Sequence, residues 1–274
     1  MVGVVPPLTN THAKLTRLNR RSRLEVVPMK SISRAMSIWA LAGLAAFLAL
    51  PALAAEVRQS PKAVLELFTS QGCNSCPKAD AMLSELGKRE DLITLAYHVD
   101  YWDYAGWKDT FGSEANSDRQ RAYGKLWGQT GVFTPQLVVN GRKSVKATKQ
   151  GDVHGAIGAA QLEVPVSLAI DGGMLDVTVP GLSGGVSAVI WLVTVTGSAK
   201  VEIEDGENAG KTVEYTDIVT GKQVLGVWDT LKGAEFRLPL AELLANGSDG
   251  AVVLVQQDIN GLPGPILGAA SLQL

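Results

Sequence analysis

Cysteine is scarce in this chain. Among 274 residues there are two, Cys73 and Cys76, both in the stretch ELFTSQGCNSCPKAD. A closed structural zinc site wants four protein ligands, and no second pair exists to complete one. Histidine is sparse as well, at three residues. A basic excess is also missing: 25 Lys and Arg face 27 Asp and Glu, which argues against nucleic acid as the partner. No apolar run reaches the roughly 20 residues of a membrane-spanning helix; the densest, Ile38 to Leu50, stops at Pro51. There is no internal repeat and no low-complexity linker.

What is present at the front of the chain reads as a leader. Lys30 and Arg34 precede the uncharged run from Ser37, which ends in the small-x-small pattern Ala52-Leu53-Ala54. That three-part layout predicts a signal peptide within residues 1–54, cut near Ala54/Ala55, and export to a periplasmic or secreted location with no retained transmembrane helix. The Arg20-Arg21 pair lies far from the apolar core, so translation is expected to start at Met29 or Met36. Residues 55–162 are nearly neutral, with 13 basic and 12 acidic side chains, whereas 163–274 carry 5 basic and 14 acidic. The asymmetry predicts two domains with different surfaces.

In the first half, KAVLELFT reads as a strand. Ala79, Met82, Leu83 and Leu86 follow at helical spacing. DLITLAYHVD gives a second strand, Ser113 to Trp127 a second helix capped by Ser113, and QLVVNGRKSVKA a hairpin about Asn140-Gly141. A short helix capped by Asp152 closes the half. A Cys-x-x-Cys opening the first helix of a β-α-β-α-β-β-α order, with Thr134-Pro135 before the third strand, predicts an α/β thioredoxin-like domain over 55–162. Residues 163–274 read as about eight short β-branched strands, VPVSLAI, MLDVTV, VSAVIWLVTVTG, KVEIED, TVEYTDIV, QVLGVW, EFRLPL and AVVLVQQ. They predict an all-β, sandwich-like domain without a catalytic constellation of its own.

The stretches ELFTSQGCNSCPKAD, HVDYWDYAGWKD, RQRAYG, VFTPQLVVNGR and GENAGKTVEYTDIV resemble those of a bacterial secreted thioredoxin-like family catalogued as a domain of unknown function. The chain departs from ordinary thioredoxins at Gly72, where they have Trp, and at Asn74-Ser75 between the cysteines. Resemblance to thioredoxins implies a cis peptide bond at Pro135 facing the cysteine pair, with Thr134 offering its backbone to an extended substrate. It also implies a buried acid on the first strand beneath the resolving cysteine. Glu66 is the candidate, although strand alternation makes a one-residue offset flip its face.

The cysteine pair carries the functional expectation. A helix N-terminus favours the thiolate of Cys73 as nucleophile, and Cys76, one turn in, would resolve the mixed disulfide. A disulfide there closes a loop too short to stabilise a chain of this size by much. His98, Asp100, Trp102 and Asp103, at the end of the second strand, are candidates to border the cleft; the alternative has the aromatics covering an interface and His98 satisfied in the core. The segment Glu204–Gly210 reads as a tight turn. The expected activity is an exported thiol–disulfide oxidoreductase that exchanges disulfides with protein thiols of the cell envelope, needing no cofactor beyond the Cys73–Cys76 couple, with a membrane electron donor or acceptor as a candidate partner. Two alternatives stand beside it: a Cu(I) carrier using the cysteines with His98, and a non-catalytic binding module.

Overall fold

The computed structural model describes residues 55–274. The expected signal peptide and start site therefore lie outside the described residues. Among the described residues no helix is long and apolar enough to cross a membrane.

The chain forms β1 (Glu56–Gln59), β2 (Ala63–Thr69), α1 (Pro77–Gly87), β3 (Leu92–His98), α2 (Glu114–Leu126), β4 (Gln136–Val139), β5 (Lys143–Lys146) and α3 (Gln150–Gly158). There follow β6 (Ser167–Asp171), β7 (Met174–Val179), β8 (Ala188–Glu202), β9 (Thr212–Trp228), β10 (Ala234–Pro239), α4 (Leu240–Leu243), β11 (Gly250–Ile259) and β12 (Leu262–Gln273). Ser113 caps α2, accepting from the Asn116 N–H at 3.2 Å. Asp152 lies in the first turn of α3 rather than at its cap, which is Lys149.

The expected fold class, a thioredoxin-like domain followed by a separate sandwich, is overturned by the sheet. One nine-stranded mixed sheet runs in the order β1-β12-β11-β8-β9-β3-β2-β4-β5, and β10-β7-β6 form a small second sheet. The large sheet thus takes strands from both sides of residue 162. The join is a parallel pairing of β3 with β9 at Ala96 and Ile218. The physical reason is visible in β3, where every residue of Leu92–His98 is buried. A strand buried along its whole length needs both faces and its edge covered, and β9 pairs with that edge.

Two further differences share one cause. The separate strands read around Gly197 and Gly221 are continuous, giving β8 of 15 residues and β9 of 17. Bulges between Ile190 and Trp191 and between Thr194 and Val195 absorb the irregularity. At about 3.3 Å per residue, each strand runs for roughly 50 Å. β12, in which Pro263 and Pro265 stand near the start, is a full strand between β1 and β11.

Packing follows strand alternation. Leu65, Leu67 and Ala96 join Ala79 and Leu83 of α1 and Val153 of α3 in one core. Leu192, Val253 and Leu272 pack with Leu175 and Val177 of the small sheet in a second. The alternate residues Val64, Phe68, Tyr97, Val193, Val252 and Leu254 form a third on the opposite face, which Tyr123 of α2 helps to cover.

Candidate active site

Cys73 and Cys76 form a disulfide in the turn between β2 and α1. Cys76 is the N-cap of α1, with Pro77 in its first turn, and the Cys76 carbonyl accepts from the N–H groups of Ala79 at 2.8 Å and Asp80 at 3.0 Å. The helix thus begins one turn later than the sequence suggests: Cys73 lies in the turn before it. Both cysteines are buried, at 1% and 0% exposure.

Two segments hold the cysteine loop. The first is 100–112, between β3 and α2. Trp102 packs on Gly72: a Cβ there would lie 3.3 Å from both Cβ and the carbonyl oxygen of Trp102. The Trp102 indole N–H donates to Thr134 Oγ1 at 2.7 Å, and the Thr134–Pro135 bond is cis. Tyr104, 83% exposed, stacks on Trp102. Trp107 Nε1 donates to Gln71 Oε1 at 2.8 Å, and the Gln71 N–H donates to Asp109 Oδ2 at 2.8 Å.

The second segment is the tip of the β8–β9 hairpin, the stretch that reads as a plain tight turn. Its Asn208 is fully buried and donates through Nδ2 to the carbonyls of Gln71 at 2.7 Å and Cys73 at 3.0 Å. Gly206, at φ 74°, lets this tip approach Gly106, whose own φ is 99°; a Cβ on Gly106 would lie 3.6 Å from the Gly206 Cα. A side chain at either position would strain the backbone.

Beneath the disulfide lies a buried polar cluster. Asp80, one helical turn after Cys76, accepts from Thr69 Oγ1 at 2.6 Å through Oδ1. Its Oδ2 is buried without a hydrogen-bond partner among the described residues. Burial raises the Asp80 pKa to about 7, against the opposing pull of His98 and Thr69. His98 is fully buried, and Asp109 engages its Nδ1 at 2.8 Å. Burial works to raise Asp109, but His98 and its hydrogen bonds hold its carboxyl below the ordinary value. The His98 ring meets the edges of Phe111 and of Tyr215 from β9, with centroids 5.3 and 4.8 Å apart. His98 Nε2 and the Tyr215 hydroxyl, like Asp80 Oδ2, are buried and lack partners among the described residues. Burial, then Asp80 and Asp109, raise the Tyr215 pKa.

The candidates separate accordingly. Cys73, Cys76, Trp102, Thr134, Pro135 and His98 gather at the cysteine loop or beneath it. Asp103 acts one step away, accepting from the Asp109 N–H at 3.0 Å. Asp100 turns toward α2, where Oδ1 accepts from Ser117 Oγ at 2.5 Å. Glu66 is on the wrong face. It is bound by Arg119 Nε at 2.7 Å and by the Tyr123 hydroxyl at 2.6 Å, on the α2 side of the sheet; Leu65 and Leu67, its neighbours, face α1. Asp80, Asp109, Asn208 and Tyr215 were missed. Asp80 had a signal, since it lies four residues after Cys76 on the same face of a helix. The other three reach the site through loop and hairpin geometry. Among the described residues no group of three or more His, Cys, Asp and Glu could hold a metal ion, and His98 has one ring nitrogen engaged by Asp109.

Comparison with known proteins gives a family. The family described as "Protein of unknown function (DUF1223)" matches residues 64–256. A crystal structure of an Agrobacterium tumefaciens protein, a structural-genomics target, is 34% identical, covering 78% of this chain and 95% of its own, with a TM-score of 0.70. No curated protein matches the chain.

Proposed function

The chain belongs to that family of unknown function, and we propose that it is a thiol–disulfide oxidoreductase of the thioredoxin superfamily, exported by bacteria to the cell envelope, whose working group is the Cys73–Cys76 couple. The observation that carries the reading is the pairing of a helix-capping disulfide with the buried carboxyl of Asp80 one turn on, whose Oδ2 has no hydrogen-bond partner among the described residues. A structural staple of four residues would contribute little and would have no use for a buried acid of raised pKa.

In the oxidised protein a partner thiolate attacks Cys73 Sγ. The Cys73–Cys76 bond breaks, and its electron pair leaves on the Cys76 sulfur, which takes a proton. A second partner thiolate then attacks the mixed disulfide and releases Cys73. Two electrons and two protons pass from the partner dithiol to the protein, and the reverse sequence reduces a partner. Asp80 is suited to give Cys76 its proton and take it back, because a carboxyl of pKa about 7 exchanges protons readily near neutral pH. His98, fixed by Asp109, and Tyr215 keep that carboxyl in a dry, polar surround. Trp102 and Tyr104, beside Thr134, offer aromatic surface to an extended protein substrate.

The test is the reduction potential of the couple, measured by equilibrating the purified protein with glutathione. A potential of about −120 to −180 mV assigns disulfide donation or isomerisation; one at or below about −250 mV assigns reduction of partners. Cysteines that never cycle would sink the reading, and Cys73→Ser should abolish mixed-disulfide formation.

A further inference from the structure

The opposite face of the large sheet holds a cavity of about 580 Å³ between α2 and strands β8, β9 and β11, within the size range of small-molecule sites. Its lining includes Tyr97, Phe111, Arg119, Trp191, Lys222 and Leu262. The redox proposal uses none of it as chemistry.

Its charges are unbalanced. Arg119 is already engaged by Glu66 at 2.6 Å. At the rim, Asp118 accepts from Arg121 at 2.7 Å, and Asp258 accepts from the Gly261 N–H at 2.8 Å. Lys222 has no carboxylate or other acceptor among the described residues. Its ammonium lies over the Trp191 ring, 2.9 Å from the centroid. Burial and the nearby Arg119 push its pKa down to about 7, the signature of a cation short of counter-charge. A second group is also incomplete. Tyr97 is 1% exposed, and its hydroxyl has no hydrogen-bond partner among the described residues. Buried polar groups are nearly always paired. Tyr97 and Lys222 both line this cavity, so two donors without acceptors among the described residues border one space. Phe111, Trp191 and Leu262 give the cavity apolar wall, beside polar residues such as Asn116, Gln256 and Gln257.

We propose that this cavity binds an amphipathic carboxylate, its anionic end held by Lys222 and the Tyr97 hydroxyl and its aliphatic or aromatic body laid against Trp191, Phe111 and Leu262. A carboxylate supplies both missing acceptors. The apolar walls then select for chain length, each added methylene strengthening binding by a factor of about four until the cavity is full.

Calorimetric titration of the full chain with acetate, octanoate, octanol and inorganic phosphate tests this. Octanoate is expected to bind at least about tenfold tighter than octanol, since an ionised group adds a charge-assisted hydrogen bond, and acetate far more weakly than octanoate. Lys222→Met should bring octanoate down to the level of octanol and leave octanol unchanged; Lys222→Arg should keep the preference; Tyr97→Phe should weaken octanoate severalfold. Equal binding of octanoate and octanol overturns the proposal, as do phosphate binding as tightly as octanoate, unchanged octanoate binding by Lys222→Met, or no binding of any probe. If Lys222→Met fails to fold, as judged by its melting transition, the wild-type preference between octanoate and octanol decides.

Discussion

Asn208 donates a hydrogen bond to the carbonyl of Cys73 across 135 residues of sequence. It donates a second to the carbonyl of Gln71, so the β8–β9 hairpin fixes the backbone on which the cysteine pair sits. Asn208→Ala leaves both buried carbonyls without these donors. The expected cost is about 1–3 kcal/mol, together with a cysteine loop that opens more often. Urea unfolding reads the first effect, and faster iodoacetamide labelling of the reduced protein reads the second. A variant as slow to label as wild type would mean that the hairpin does not limit access.

Asp80 sets a pH dependence whose sign is fixed. Its folded pKa, about 7, lies above the ordinary 3.8. Between those values the folded protein keeps a proton that the unfolded chain has released. Stability should therefore fall as pH rises from about 4 to about 7 and level off above. Asp80→Asn keeps an acceptor for Thr69 and removes the titration. Relative to wild type it should gain stability across that window, by as much as about 4 kcal/mol at pH 8. Urea midpoints of the two proteins at pH 4, 6 and 8 measure it, and parallel pH curves would contradict the assignment.

Glu66 and Arg119 give the contrasting case. Both are buried, and their bond is closed on the face away from the cysteines. Glu66→Gln leaves Arg119 short of its counter-charge, and the loss should be about 3 kcal/mol or more. The reduction potential of the cysteine couple should not move by more than its experimental error. A shifted potential would place Glu66 in the redox chemistry after all.

Trp102→Phe tests the aromatic rim. It keeps a ring on Gly72 and loses the donor to Thr134, at a cost of about 1 kcal/mol. Exchange with a reduced, unfolded protein should slow, while exchange with glutathione, which is too small to need the rim, should hardly change. Equal slowing of both would make Trp102 a support of the loop and nothing more.

Short-range pattern was the legible part. The apolar spacing of Ala79, Leu83 and Leu86, the Ser113 cap and the Asn140-Gly141 turn are local, and each is where the sequence puts it. The cysteine loop was legible for the same reason. What failed was register across distance. Nothing local in β3 or β9 says that Ala96 will lie beside Ile218, so a single sheet read as two domains. Glycines 197 and 221 read as breaks because a strand that bends or bulges uses the same residue as a strand that ends. Glu66 failed by one residue of alternation, and Asn208 failed because a hairpin tip reveals its length only once both strands are seen to be continuous.

The first described strand, β1, pairs with the last, β12, placing Glu56 opposite Gln273. The sheet is therefore complete only once β12, Leu262–Gln273, is in place between β1 and β11. During synthesis the early segments have no finished sheet to join, and the sequence separations between partners are long, which slows folding. A polypeptide built this way emerges from the ribosome still open along its edges. For a chain that must be threaded through a membrane pore before it folds, late closure keeps the translocation route available; for one that stays behind, it is a standing need for a chaperone.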